Sequence, residues 1–264
     1  MPTRLRAKPA DAVVRSIYRK LARSWGPQYW WPAQTGFEVI AGAILAQNTS
    51  WKNVEHALQA LRSAGRLSLR GISTTPLSRL EKLVRSSGFY RQKAQRLKTF
   101  VAYVEKSYGG SLEKMFSTPT QQLRSELLAL NGIGPETADA ILLYAGRHEI
   151  FVVDTYARRV LERHAAVATA AKYDDIRLLV EGALANEKRV GHSRQALTAN
   201  APPIHAASTI SAMRRSRLAH VYSEMHAYFV QLGKHYCHRQ GPDCDRCPLR
   251  EFLPEDSPMI ASPE

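Results

Sequence analysis

An all-α fold is predicted for this chain. Strand-like alternation of apolar and polar residues is scarce, apolar residues recur at helical spacing, and signals that start or stop helices follow one another. The helices predicted between these signals span residues 10–24, 37–46, 51–64, 76–88, 90–107, 118–130, 135–145, 154–164, 173–185 and 218–236.

Glycine and proline mark most of these boundaries. Gly26, Gly65 and Gly88 each follow a predicted helix. Pro76 suits a first helical position, because a proline lacks the N–H that would find no intrahelical partner there. The segment 37–46 is short and apolar, which predicts a buried helix.

Size and composition are typical of a globular protein. The 264 residues are 44% hydrophobic and 23% charged, and they fit one to two domains. The longest apolar stretch, residues 39–46, is far shorter than the roughly 20 residues of a membrane span. No signal peptide is visible, so we expect a cytoplasmic protein, associated with the nucleoid through DNA, and no membrane partner.

The charge balance favours a polyanionic partner. Lys and Arg number 37 against 23 Asp and Glu, a net charge of +14. Such an excess is typical of nucleic-acid binding, although a basic surface can also serve solubility alone. Residues 186–217 are predicted to be a basic insertion loop, which either follows a DNA backbone or is a solvated insertion.

Residues 130–138 (LNGIGPETA) place a Gly-x-Gly turn between two predicted helices. Gly132 and Gly134 can adopt backbone angles denied to other residues. Amide groups of such a turn, at a helix N-terminus, bind phosphate without reading sequence. Most Gly-x-Gly pairs are plain turns, but the whole pattern with its helical flanks is more specific.

Asp154 follows the apolar triplet of residues 151–153 and precedes a predicted helix. It can be a plain N-cap, or a functional carboxylate that the helix dipole keeps ionised. These two interpretations are compatible.

The pairing of LNGIGPETADAILLYA (130–145) with FVVDTYARRV (151–160) resembles the helix-hairpin-helix DNA glycosylases of the endonuclease III superfamily. ILAQNTSWKNVEHAL (44–58) and SGFYRQKAQRLKTF (87–100) resemble further segments of that family. The resemblance covers roughly residues 28–185 and 218–253. It implies base-excision repair of duplex DNA that contains a damaged base, and we expect a monomer.

The resemblance also implies a two-lobed, all-α architecture. A six-helix barrel lobe is expected over residues 37–147, with the helix-hairpin-helix at about 119–146. Residues 1–36 and 148–264 would form the second lobe, which includes a C-terminal Cys loop (237–253). In this family a cleft takes the flipped-out nucleotide, because the glycosidic bond cannot be reached inside a duplex.

Residue roles follow from the same resemblance. Asp154 matches the essential aspartate, which stabilises positive charge developing on the sugar. Gln47 matches the residue that fills the gap left by the flipped base, or it is a buried polar residue that ties helices together. Gly132, Gly134 and Thr137 are the expected DNA contacts of the hairpin.

Two departures from the family bear on the chemistry. Glu136 stands where bifunctional members carry the lysine that forms a Schiff base, so a monofunctional enzyme is implied. Glu136 itself is expected to be a first-turn carboxylate that favours the helix dipole.

The second departure concerns the cysteines. Cys237, Cys244 and Cys247 fit the iron–sulfur spacing, but Leu253 replaces the fourth cysteine. A [4Fe–4S] cluster with three Cys ligands and an unidentified fourth, a zinc site, and no metal at all remain open, with His235, His238, Asp243 and Asp245 as further candidate donors.

The base pocket looks closest to the branch that removes alkylated purines. Trp31 and Trp51 are candidate walls that would stack on a cationic base, although most tryptophans pack in cores. Lys234 matches a pattern position of this branch, or it is a surface lysine. The alternatives are an endonuclease III-like glycosylase and AP lyase on oxidised pyrimidines, and a non-catalytic duplex-DNA-binding module.

Overall fold

The structure is a computed structural model that describes residues 9–188, 205–254 and 257. Every regular element in these residues is helical, which confirms the all-α prediction. No helix among them is both long and apolar enough to cross a membrane. The α-helices are α1 (Ala10–Trp25), α2 (Gly36–Leu45), α3 (Trp51–Ser63), α4 (Leu69–Thr74), α5 (Leu77–Leu83), α6 (Tyr90–Tyr108), α7 (Leu112–Phe116), α8 (Thr120–Leu128), α9 (Pro135–Ala140), α10 (Thr155–Arg163), α11 (Tyr173–Leu184), α12 (Thr209–Ala212) and α13 (Arg217–His235).

Several predicted boundaries need correction. The helix expected over 76–88 is α5, followed by a separate 3₁₀ turn at Arg85–Ser87. The helix expected over 135–145 is α9, which continues as a π-helical turn at Ile141–Ala145. Helices α4 and α7 were not predicted, because five or six residues are too few to show a helical period.

The chain divides into two compact units. A terminal unit takes the described parts of residues 1–30, 150–207 and 214–264, and a central unit takes residues 31–149 with 208–213. Whether these units are the two lobes that the family resemblance implies stays a prediction.

The core of the central unit is built around α2. Thr35 caps this helix by accepting a hydrogen bond from the Glu38 amide, and all residues from Phe37 to Leu45 are buried. Lys93 on α6 is also buried, and it donates to the carbonyls of Leu45 (2.9 Å) and Ser87 (2.5 Å). Burial lowers its pKa to about 8. This lysine therefore ties the end of α2 to the start of α6.

The core of the terminal unit is built around α13, which packs against α1, α10 and α11. Most of its residues from Ala219 to Gly233 are buried. Among them is Glu224, whose carboxylate accepts a hydrogen bond from the Gln28 amide at 3.0 Å. Burial raises the pKa of Glu224 to about 7, since a low-dielectric interior disfavours the charged form.

Replacement of this carboxylate should change how stability depends on pH. The pKa of Glu224 is higher in the folded protein than in the unfolded chain. The protonated side chain therefore stabilises the fold at acid pH, and this stability is lost as the pH rises through about 7. Glu224→Gln keeps an acceptor for Gln28 and does not titrate. We expect its free energy of unfolding, relative to that of the natural protein, to rise by about 2 kcal/mol from pH 5 to pH 8. Urea denaturation at several pH values measures this difference. The matched control, exposed Glu105→Gln, should show no such trend, and a flat difference for Glu224→Gln would contradict the prediction.

Candidate functional site

The turn between α8 and α9 contains two glycines, Gly132 and Gly134, whose backbone conformations differ. Gly132 has a φ of +85°, and a Cβ there would lie 2.1 Å from Nε of Arg96. Gly134 is the N-cap of α9 with a φ of −90°, which any residue adopts. Both glycines can adopt backbone angles denied to other residues, and of the two only Gly132 does so. No described atom lies within 4 Å of a Cβ built on it, so this position faces open space.

Gln47 contacts this turn directly. Its amide nitrogen donates to the carbonyl of Gly132 (2.9 Å) and to the hydroxyl of Thr137 (3.0 Å). Arg96 donates in turn to the side-chain oxygen of Gln47. Three of the four predicted DNA-contacting residues thus lie in one hydrogen-bonded group. These bonds join the segment after α2 to the hairpin, and both interpretations of the half-buried Gln47 stay open.

Glu136 and its neighbours on α9 face different ways. Glu136 is exposed in the first turn, where a carboxylate favours the helix dipole. Asp139 is completely buried and receives two hydrogen bonds from Arg124 on α8, at 2.7 and 3.2 Å. This paired, bidentate contact fixes α9 against α8. Glu136, which the resemblance places at the position of the family's lysine, is thus exposed, whereas Asp139 is buried.

Asp154 lies at the end of a buried extended segment, residues 150–153, and caps α10. Its Oδ1 accepts a hydrogen bond from the Ala157 amide at 2.7 Å. Its Oδ2 lies 3.5 Å from Nε2 of His226 on α13. The side chain is 12% exposed, so the carboxylate is largely but not fully shielded from water. Both interpretations of Asp154, as cap and as functional acid, are compatible with this geometry.

Trp30, which the sequence analysis did not select as a site residue, lies in the terminal unit near His226, whose ring faces Asp154. The indole of Trp30 lies 6.4 Å from the ring of His226 and 5.2 Å from that of His205. The Lys234 ammonium sits 5.7 Å from the centre of the Trp30 ring, within cation–π distance. Lys234 is therefore placed beside an aromatic face and near His226. Helical spacing alone could have linked these residues, since 226 and 234 lie about two turns apart on α13.

The two tryptophans predicted as pocket walls lie in the central unit. Trp31 and Trp51 meet edge to face at 5.2 Å, and Trp31 also contacts the ring of Tyr144 at 5.4 Å. Trp31 packs over Gly42, where an added Cβ would come within 3.3 Å of the indole. Trp31 is 5% exposed and is mainly a packing residue, whereas Trp51 is half-buried and keeps part of its surface accessible.

A small cavity in the terminal unit is lined by all three cysteines. Arg163 donates to Sγ of Cys237 at 3.1 Å, and Arg159 donates to the Cys237 carbonyl at 2.8 Å. Burial raises the pKa of Cys244, and it raises that of Cys247 to about 11.

The donor set around this cavity fits a cluster only in part. Leu253, in the place of the family's fourth cysteine, lines the same cavity and cannot bind iron. Asp243 also lines it but is paired with Arg246. His164, which the sequence reasoning did not consider, lines it as well. In the described ranges, no group of three His, Cys, Asp or Glu side chains is arranged to hold a metal ion. A three-cysteine [4Fe–4S] cluster with an unassigned fourth ligand, a zinc site and no metal at all therefore stay open as predictions.

The predicted basic insertion at 186–217 needs a correction at its end. Residues 189–204 of this segment lie outside the described residues. The described part contains the short helix α12, capped by Ser208, and α13 already begins at Arg217. The prediction missed α12 because a helix of four residues carries no periodic signal.

Phe89 is an exposed aromatic residue that the sequence analysis did not select as a site residue. Phe89, at the start of α6, is 66% exposed and has a φ of +46°. A positive φ is uncommon for a residue with a bulky side chain. Such strain in an exposed apolar residue is a reason to look for function at that point of the surface.

Comparison with known proteins assigns the family. Residues 41–185 match the model of the HhH-GPD superfamily base excision DNA repair proteins, and this match covers more than half of the chain. The chain belongs to the HhH-GPD superfamily. It is a DNA glycosylase of base excision repair, which confirms the resemblance to the endonuclease III-like proteins.

The relatives of this HhH-GPD glycosylase extend over most of its length. It is 38% identical over 242 residues to MJ1434 of Methanocaldococcus jannaschii, a protein provisionally named a DNA repair glycosylase, covering 91% of this chain and 95% of that protein. The solved structure of H. pylori 3-methyladenine DNA glycosylase (MagIII) bound to 1,N6-ethenoadenine is similar with a TM-score of 0.65 and 28% identity, covering 86% of this chain and 98% of that one. A trapped endonuclease III–DNA covalent intermediate shares the fold, with a TM-score of 0.67, 22% identity and 96% of each chain covered.

The hairpin geometry generates a test of phosphate binding. We expect Gly134→Val to weaken binding to damaged and undamaged duplexes alike by about tenfold, because the new side chain projects where a phosphate would approach the amide groups. The melting temperature should not change, since the φ of Gly134 is ordinary and its Cβ would meet no described atom. Fluorescence anisotropy with several duplexes measures the affinity. Gly132→Val is the contrasting variant and should lower the melting temperature, and a loss confined to one lesion would contradict a general phosphate clamp.

Proposed function

We propose that this HhH-GPD glycosylase is monofunctional and removes alkylated purines from duplex DNA as a monomer. The observation that carries the proposal is a combination of two acids that do not depend on each other. Asp154 is a shielded carboxylate, and Glu136 is an exposed acid at the place of the family's lysine. The first can support hydrolysis of a glycosidic bond. The second cannot form an imine with the sugar.

In the proposed reaction, the Asp154 carboxylate stabilises positive charge on the sugar, and water takes the place of the base on C1′. The damaged nucleotide is flipped out, because its glycosidic bond is inaccessible in the stack. As that bond breaks, its electron pair leaves with the base, and positive charge grows on the sugar close to the Asp154 carboxylate. A water molecule adds to C1′, the carboxylate accepts its proton, and an abasic site remains. The N-cap bond leaves Oδ2 as the oxygen that is not committed to the backbone.

The hairpin would supply affinity rather than base recognition. Amide groups of the turn at 131–135 are positioned at the start of α9, where the partial positive charge of a helix N-terminus attracts a phosphate. Gln47 would leave its partners Gly132 and Thr137 to fill the gap left by the flipped base. Its two hydrogen bonds within the protein would then be exchanged for bonds to the orphaned base.

The preference for alkylated purines is supported by a relative and by the aromatic residues. MagIII, named a 3-methyladenine glycosylase, was solved with 1,N6-ethenoadenine and is 28% identical to this chain. Trp51 is half-buried and offers a ring for stacking on a purine. Trp30 offers another, but the ammonium of Lys234 already lies over its face. A positive charge there disfavours a cationic base on the same face, so Trp51 is the better candidate for contact with a cationic adduct.

A lesion panel tests substrate and mechanism together. We expect excision from duplexes that carry an alkylated purine such as 1,N6-ethenoadenine, strand cleavage only after hot alkali, and no covalent adduct with borohydride. Glu136→Lys serves as a positive control, since it restores an amine and should give weak trapping. Excision confined to oxidised pyrimidines would contradict the substrate class. Efficient trapping by the natural protein would contradict the monofunctional assignment, and Lys234 would be the first lysine to test.

The carboxylate itself is tested by Asp154→Asn. We expect at least about a 100-fold loss of the single-turnover excision rate, because the charge that stabilises the transition state is removed. Folding and DNA binding should be retained, since asparagine caps a helix about as well as aspartate. Gel electrophoresis of cleaved duplex gives the rate and anisotropy gives the affinity. Glu136→Gln is the matched control and should excise normally, and near-normal turnover by Asp154→Asn would refute the mechanism.

A further inference from the structure

The two oxygens of Asp154 have different surroundings. Oδ1 is held at 2.7 Å by the Ala157 amide and belongs to the helix cap. Oδ2 faces Nε2 of His226 at 3.5 Å, and both side chains are largely buried, with exposures of 12% and 5%. The oxygen left for chemistry is therefore the one that faces an imidazole.

The position of His226 is set by the packing of α13 on α10. Gly233 lies seven residues after His226, so both occupy the same face of α13. A Cβ on Gly233 would lie 2.0 Å from the ring of Tyr156 on α10, so only glycine allows this approach. Arg159 on α10 also donates to the Cys237 carbonyl just beyond α13. A close contact two turns along α13 from His226 thus holds this helix against the start of α10.

We infer that His226 is a positioning residue for Asp154, an inference that rests on the proposed function. A carboxylate only accepts hydrogen bonds, so this contact becomes a hydrogen bond when Nε2 of His226 carries the ring proton. With Oδ1 held by the cap, a bond from His226 to Oδ2 fixes the rotation of the carboxylate. At 3.5 Å this contact is longer than a good hydrogen bond, as is common before substrate binds, and it shortens in the reacting complex.

A positioning role and a packing role for His226 have different requirements. A packing role needs the volume and shape of the ring and no donor at Nε2. A positioning role needs the donor, and an amide at the same distance from the backbone can replace it. Glutamine places its side-chain N–H near the position of Nε2, whereas leucine fills the space without a donor and asparagine is too short to reach Oδ2.

The experiment compares His226→Leu, His226→Gln and His226→Asn with the natural protein. The single-turnover excision rate is measured on a duplex with one 1,N6-ethenoadenine, and affinity is measured on a duplex with a tetrahydrofuran abasic analogue. We expect His226→Leu and His226→Asn to lose roughly 10- to 100-fold in rate, with affinity changed less than about twofold. His226→Gln should recover most of the rate. His220→Leu, on the same helix, is the control for loss of a histidine and should excise normally.

Equal rates for His226→Gln and His226→Asn would overturn the inference, and this pair decides the matter even if His226→Leu fails to fold. A full rate for His226→Leu would also overturn it. These results are distinct from failure of the proposed function. If Asp154→Asn keeps its turnover, the mechanism itself is wrong; if Asp154→Asn is inactive and the His226 variants are unaffected, only the role of His226 is wrong.

Discussion

The hydrogen bond from the Ala157 amide to Asp154 is the constraint on which the surroundings of Asp154 in the terminal unit depend. It sets where α10 begins, and it orients the carboxylate at that point. Helix α10 then carries Tyr156, Arg159 and Arg163, which contact α13 and the cysteine segment. The side chain that caps α10 is also the proposed functional acid, so the cap would hold the carboxylate in place for the proposed reaction.

The hairpin in the central unit depends on a different kind of constraint. Arg96 fills the space beneath Gly132, and the buried pair of Arg124 and Asp139 locks the two helices together. Removing one partner of such a buried pair costs about 3–5 kcal/mol, because the other charge is left without compensation. This rigidity suits a contact made by backbone amides, since their affinity for phosphate depends on their being aligned in advance.

The sequence was sufficient for the features that local patterns encode. Helix α2, the hairpin and the cap at Asp154 each have a short signature, and all appear where they were expected. Features that depend on long-range packing were not accessible. The contact of His226 with Asp154 joins residues 72 positions apart, and that of Arg96 with Gln47 joins residues 49 apart. The motif also does not say which of its two glycines takes a positive φ, and in the structure it is Gly132.

The terminal unit is assembled from segments that are distant in the chain, and this has a consequence for biogenesis. Among the described elements, helix α1 makes its most extensive contacts with α11 and α13, so these partners become available only after residues 173–235 have been synthesised. The central unit is nearly continuous and needs only α12 from the later sequence. It can therefore fold while synthesis continues, whereas α1 with its apolar face must wait. Long loop closure of this kind is entropically slow, and the waiting helix is the part of the nascent chain for which a chaperone would be most useful.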